Sequence, residues 1–98
     1  MKKFIFLSYG FQKPTPQVMK AWGRWFGAIG DRIVAQEGLG DGREFTPAGI
    51  KRLSRATGAA TGYIIFNAKS MKEAEKLAKG CPVITSNVVQ EIMPMGHR

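Results

Sequence analysis

"GYIIFNAKSMKEAEKLAKGCP", residues 62–82, contains the signals for a strand, a helix start and a helix stop. Residues 63–68 are apolar on both faces and rich in β-branched and aromatic side chains, which predicts a strand. Ser70 and Glu73 form a capping box, and Gly80 followed by Pro82 ends the helix. A strand that is apolar on both faces needs cover on both sides, and the following helix supplies only one.

Working outward from this stretch, the same signals predict elements along the whole chain. Thr15 and Pro16 are suited to a helix cap and a first helical position, and Gly30 ends that helix. The other predicted elements are strands at 3–9, 33–37, 43–46 and 87–93, with an Asp41-Gly42 turn before 43–46 and an irregular segment at 47–61.

This order predicts a single domain over residues 1–98 with an α+β fold. The pattern β-α-β-(β)-β-α-β, in which the strand in parentheses is the short one at 43–46, is ferredoxin-like, with an antiparallel sheet that carries both helices on one face. Alternation along the strands assigns six side chains to the uncovered face: Phe4, Phe6, Ser8, Tyr63, Ile65 and Asn67. That set is too apolar to remain in water, so we expect a second copy of the chain or a stacked RNA to cover it.

Composition restricts the partners and the compartment. The 98 residues carry a net charge of +8, which suits an anionic partner. The single cysteine, Cys81, predicts a reducing cytoplasm and, at a helix end, a buried and inert thiol. The apolar run at residues 4–7 is too short for a signal peptide, and no stretch approaches the roughly 20 apolar residues of a membrane span.

Four segments resemble the YCII-related family of small proteins: "MKKFIFLSYGFQKPTP", "AWGRWFGAIGD", "GYIIFNAKSMKEAEKLAKGCP" and "EIMPM". The resemblance implies a dimeric α/β barrel, in which two ferredoxin-like subunits set their open sheet faces together and enclose a cleft. Relatives of this barrel include small isomerases, monooxygenases and a dehydrochlorinase.

The chain departs from that family at its proposed catalytic residues. Some members carry a histidine in the first helix with a nearby aspartate, whereas this helix has no histidine and Ser8-Tyr9-Gly10 has no carboxylate. The Asp-Gly-Pro-Phe signature of one branch is absent, and Met93 stands where many members have an arginine before proline. No catalytic residue is therefore transferred by position.

An RNA-recognition motif has the same topology and stacks bases on aromatic side chains of its first and third strands. Phe6 and Tyr63 would be those platforms here. Thr61, Ile64 and Ile65 do not match the third-strand signature, which wants a basic, a small and an aromatic residue. A single-stranded RNA-binding module is therefore the alternative function.

The candidate binding residues for a small polar or aromatic molecule in the inter-subunit cleft are Phe6, Ser8, Trp22, Tyr63, Asn67 and Glu91. For catalysis the candidates are Glu91, Tyr63 and His97, with Glu91 a general base only if its side chain faces the cleft. One histidine and one cysteine make no metal site, and no cofactor motif appears. The expected function is ligand binding by a homodimer, with cofactor-free isomerase, lyase or hydrolase chemistry as its enzymatic form and a non-catalytic regulatory domain as a further alternative.

Overall fold

The computed structural model describes residues 1–10, 15–82 and 85–94. Four strands form an antiparallel sheet of order β2-β5-β1-β6, and β3 and β4 form a separate two-stranded sheet. This α+β arrangement of one main sheet and two helices is compatible with the predicted ferredoxin-like class. The elements in chain order are β1 (Lys2–Tyr9), α1 (Pro16–Ile29), a 3₁₀ turn (Gly30–Arg32), β2 (Ile33–Gly38), β3 (Gly42–Thr46), β4 (Gly49–Leu53), β5 (Ala60–Ala68), α2 (Met71–Ala78) and β6 (Ser86–Glu91).

Both helices begin at the residues that the sequence predicts. The Thr15 hydroxyl accepts a hydrogen bond from the backbone N–H of Val18 at 3.2 Å, and the Ser70 hydroxyl accepts one from Glu73 at the same distance. These bonds satisfy N–H groups that have no partner inside the helix. The starts of α1 and α2 are thus fixed by local chemistry.

The core lies between the two helices and one face of the main sheet. Phe4 pairs with Phe66 and Phe6 with Ile64 across β1 and β5, and all four side chains are buried. Their cover comes from Trp25 and Ile29 of α1 and Ala74 of α2.

The predicted placement of Phe4, Phe6 and Ser8 on the uncovered face is therefore wrong. Phe6 lies on the helix-bearing face, where its ring centroid is 5.2 Å from that of Trp25. Both faces of β1 are apolar, so alternation alone does not tell which face the helices cover. The aromatic side chains of α1 decide it, because Trp25 packs on the phenylalanine side.

The other side of the main sheet, which we call the open face, carries the opposite set of side chains. Ile5 pairs with Ile65, Leu7 with Tyr63, and Lys3 with Asn67. The placement of Tyr63, Ile65 and Asn67 away from the helices is therefore confirmed. By register, the open face consists of Lys3, Ile5, Leu7, Ala35, Glu37, Tyr63, Ile65, Asn67, Val88 and Gln90.

The segment predicted to be irregular, 47–61, contains a strand. β4 pairs with β3 in a hairpin whose turn is Pro47-Ala48, and β5 already begins at Ala60. The Asp41-Gly42 pair is accordingly not a hairpin turn, because β2 and β3 are not paired. We call residues 42–53 the arm.

Candidate functional site

A groove of about 640 Å³ opens between α2 and the edge strand β6, on the helix-bearing face. Its floor is apolar and its rim carries hydroxyl, amide and charged groups. Pockets that bind small molecules have this composition and a volume of roughly 300–1,000 Å³. The lining residues are Phe6, Met71, Glu75, Ala78, Lys79, Thr85, Ser86, Asn87 and Val89.

The floor of the groove is rigid because it belongs to the core. Phe6 is 0 % exposed as a residue and pairs in register with Val89 of β6. Ala78 and Val89 are half-buried beside it. Met71, the first residue of α2, stands at the groove rim and is 44 % exposed.

One end of the groove is held by a close approach of backbone to backbone. The N–H of Thr85 donates to the carbonyl of Tyr9 at 3.2 Å. Gly10 next to it has a φ of +99°, and a Cβ there would lie only 2.9 Å from the Thr85 nitrogen. A residue with a side chain at position 10 would push Thr85 away, so Gly10 fixes the beginning of β6.

Asn87 is the polar residue most firmly placed in the groove. Its side-chain amide donates to the carbonyl of Pro82 at 3.2 Å. In register it lies opposite Ser8, so Ser8 is adjacent to the groove, although it is not among the lining residues. Sequence reasoning missed Asn87, because only the pairing of β6 with β1 brings it next to Phe6.

Trp25 connects the two helices, whereas the ring contacts of Trp22 stay within α1. Trp25 donates its indole N–H to the carbonyl of Leu77 in α2 at 2.8 Å. Trp22 is half-buried, with its ring 5.9 Å from Trp25 in an edge contact and 5.7 Å from Phe26 in a stacked one. Both contacts lie within α1, and Trp22 is outside the set that lines the groove.

The remaining predicted site residues lie on different faces of the sheet. Tyr63 and Asn67 lie on the open face, whereas Glu91 lies opposite Phe4 on the helix-bearing face. There the Glu91 carboxylate is 3.7 Å from the ammonium of Lys2, at the outer edge of the sheet. Tyr63 and Glu91 are thus on opposite sides of the sheet, and His97 lies outside the described residues.

An ion pair links α2 to the 3₁₀ turn that follows α1. The Arg32 guanidinium donates to the Glu73 carboxylate at 2.9 Å, and the Lys69 backbone N–H donates to the same oxygen at 2.8 Å. These two hydrogen bonds lower the pKa of Glu73 below its usual value. The bond from the Lys69 backbone has the larger effect, and the bond from Arg32 comes next. This carboxylate is therefore structural, since its acceptor oxygen is already engaged.

Cys81 is buried in the core, as the sequence predicts, and burial raises its pKa to about 12. Because the thiolate is the reactive form, we expect iodoacetamide at pH 7.5 to modify the folded protein at least about 100-fold more slowly than the unfolded chain. Mass spectrometry over a time course, with and without guanidinium, measures both rates. Folded and unfolded rates within tenfold of each other would contradict a buried thiol.

The described part of the chain contains no group of three or more histidine, cysteine, aspartate or glutamate side chains that could hold a metal ion. Among the same residues, no helix is long and apolar enough to cross a membrane. Both findings concern residues 1–10, 15–82 and 85–94 alone.

Comparison with known proteins does not identify a family or a function for this chain. The YCII-related resemblance therefore stays a prediction, and the function has to be argued from the groove and the open face. No protein-family model matches the chain, and no curated protein gives a significant match.

Proposed function

We propose that this protein is a homodimeric binding protein that takes up a small polar or aromatic molecule in the groove between α2 and β6. The observation that carries the proposal is the groove itself, with its rigid apolar floor and polar rim. The dimer is the α/β barrel that the YCII-related resemblance implies, with two open faces stacked against each other.

The open face supports self-association through its charge as well as its apolar side chains. The chain has a net charge of +8, so two copies repel each other at long range. The open face carries one cation, Lys3, and one anion, Glu37, and is therefore neutral. Contact between two neutral apolar faces brings the copies together where repulsion is smallest.

The same face does not favour the RNA-binding alternative. Phe6, the aromatic platform required on β1, is buried under Trp25 and reaches no base without unfolding. Tyr63 is then left with the aliphatic Leu7 and Ile5 on the neighbouring strand. Single-strand binding depends on a basic groove with several stacking aromatics, and this surface has neither.

Binding rather than catalysis is the activity that the groove supports. Two of the candidate catalytic groups, Tyr63 and Glu91, lie on opposite faces of the sheet, and neither lines the groove. A general acid–base pair has to reach one substrate within hydrogen-bonding distance. Asn87, Ser86 and Thr85 instead offer neutral hydrogen-bonding groups, which orient a ligand.

A groove-filling substitution tests the proposal. We expect Ala78→Trp to weaken binding of anilinonaphthalene sulfonate, an aromatic anion, by at least about tenfold, because the indole would occupy the apolar floor. Fluorescence titration measures the affinity, and methyl shifts of Val89 and Ala78 in NMR spectra of the parent protein locate the probe.

Ala28→Trp is the matched control, since Ala28 is exposed on α1. Equal affinities of the two variants would contradict the proposal, and so would shifts confined to Ile5 and Ile65 of the open face. Circular dichroism establishes that both variants are folded before they are compared.

A further inference from the structure

Much of the positive charge of this chain is gathered on the helix layer. The net charge is +8, and the open face is neutral by register. On the other side of the sheet, both helices carry cations that are exposed to solvent. We call these residues the basic patch; they are Lys20 and Arg24 on α1 and Lys72, Lys76 and Lys79 on α2.

Carboxylates of the same helices compensate for little of this charge. The sequence of α1 contains no acidic residue. On α2, Glu73 is already engaged by Arg32 at 2.9 Å. That leaves Glu75, which is four residues from Lys79 and is therefore its neighbour on the helix surface. One carboxylate thus stands against the five cations of the patch.

The cations lie on the outer side of the layer, away from the sheet. Trp25 of α1 and Ala74 of α2 are buried in the core, so they mark the inner side of each helix. With 3.6 residues per turn, Lys20 and Lys76 are on the far sides of their helices. Both are exposed, as this geometry requires.

The patch is continuous across the two helices. The indole N–H of Trp25 donates to the Leu77 carbonyl at 2.8 Å, which joins the middle of α1 to α2. Arg24 and Lys76 are the chain neighbours of these two residues, so they lie within about one helical turn of each other along the layer. The cations of α1 and α2 therefore form one surface.

Each helix has two like charges side by side on this surface. Lys20 and Arg24 are four residues apart, and so are Lys72 and Lys76. Like charges at this spacing repel each other and weaken an isolated helix. An anionic partner that lies across both helices would turn this repulsion into attraction.

The surface between the cations offers little besides charge. Gly23, Gly27 and Ala28 are exposed along α1, and a Cβ at either glycine would meet no atom within 4 Å. The large apolar side chains exposed on the two helices, Met19 and Met71, are in the first turns. Membrane anchors insert large apolar side chains, and single strands stack on exposed aromatic ones, so neither partner fits the middle of the patch.

The charge density of the patch matches that of a nucleic-acid duplex. Lys72, Lys76 and Lys79 extend over about 10 Å of the α2 axis, at 1.5 Å per residue. A duplex has one negative charge per about 1.7 Å of its axis, or about six phosphates over that length. Contacts from lysine and arginine to phosphates position a protein on a duplex and need no apolar or aromatic surface.

We propose that the basic patch binds a nucleic-acid duplex through the phosphates of its backbone, without reading the base sequence. The lysine and arginine side chains donate to the phosphate oxygens, and Gly23 and Gly27 let the backbone of the duplex approach α1 closely. The patch lies on the side of the sheet opposite the open face, so this binding requires neither the proposed dimer nor a ligand in the groove.

Fluorescence anisotropy with a labelled DNA duplex of about 20 base pairs tests the inference through its salt dependence. If all five cations contact phosphates, the logarithm of the association constant should fall with the logarithm of salt concentration at a slope of about −4. The affinity then drops about 200-fold between roughly 50 and 200 mM salt. No binding at about 50 mM salt, or a slope shallower than about −2, overturns the inference.

The double variant Lys72→Gln/Lys76→Gln locates the binding. We expect its affinity for the duplex to fall at least about tenfold and its salt slope to become shallower by about 2, since each lysine–phosphate contact contributes about 1. Arg43→Gln/Arg52→Gln is the matched control, because it removes the same charge from exposed positions of the arm. The control should change the affinity less than about threefold.

An equal or larger loss in the control variant overturns the inference, because net charge or the arm would then account for the binding. Circular dichroism establishes that both variants are folded before their affinities are compared. The variants replace exposed side chains, and Lys72→Gln/Lys76→Gln also removes a like-charge repulsion within α2.

Competition against the labelled duplex distinguishes the other anionic partners. An unlabelled RNA duplex of equal length should compete within about tenfold of the DNA duplex, because the phosphates are common to both. Vesicles of phosphatidylserine and phosphatidylcholine at the same salt concentration should not displace the duplex. Displacement by these vesicles, or more effective competition by single-stranded oligothymidine than by either duplex, overturns the inference.

Discussion

Phe6→Ala is expected to lower the free energy of unfolding by about 3–5 kcal/mol, the usual cost of removing a buried phenylalanine ring. Phe6 is fully buried between Trp25 and the neighbouring strands, so its removal leaves a cavity that the sheet does not fill. A domain of this size loses roughly 4–8 °C of melting temperature per kcal/mol, so we expect a fall of about 15 °C or more. Urea unfolding followed by circular dichroism measures the change.

Phe45→Ala is the matched control, because it removes the same ring from a side chain that is 73 % exposed. We expect it to cost under about 1 kcal/mol. Comparable losses at the two positions would mean that Phe6 is not in the core, and would restore the predicted placement of Phe6 on the open face. The comparison therefore tests the face assignment directly.

Ile65→Lys has the second large expected effect, a conversion of the proposed dimer to monomers. Ile65 is near the middle of the open face, with Ile5 and Ala35 on the adjacent strands. Two-fold symmetry would bury two new charges in one apolar interface, at several kcal/mol each. The dissociation constant should rise by about 10³-fold or more, since each 1.4 kcal/mol changes it tenfold.

Light scattering at micromolar protein reports this change as a halved mass. Met19→Lys adds the same charge at an exposed position of α1 and should leave the mass unchanged. If Ile65→Lys kept the mass of the parent dimer, the open face would not be the interface. If the parent protein itself were monomeric, the dimer proposal would fail at once.

Local chemistry makes the two helices and most strands predictable from the sequence. Thr15 and Ser70 are caps whose hydrogen bonds involve residues only three positions away, so no tertiary contact is needed to place them. The 63–68 strand and the burial of Cys81 also follow from nearby residues. The strand at 49–53 was missed because the arm, without a core, has no buried face and thus no strong hydrophobic alternation.

The functional surfaces could not be predicted from local sequence, because they are formed by residues that are far apart in the chain. Asn87 and Phe6 meet because β6 pairs with β1, a contact between residues about 80 positions apart that no local pattern contains. The sequence left two orientations open for the Glu91 side chain. The strand register places it opposite Phe4, where its carboxylate is next to Lys2. The groove could not be inferred before the strand order was known.

The sequence by itself determined which segments of this protein become helices and the strands of the main sheet, because caps, glycines and apolar periods act over a few residues. Only the tertiary structure decided which side of β1 is the core, since Phe4 and Phe6 on one face and Ile5 and Leu7 on the other are equally apolar. Packing of Trp25 and Ile29 against the phenylalanines breaks that equivalence. The aliphatic residues are thereby left on the open face, and Phe6 becomes the floor of the groove.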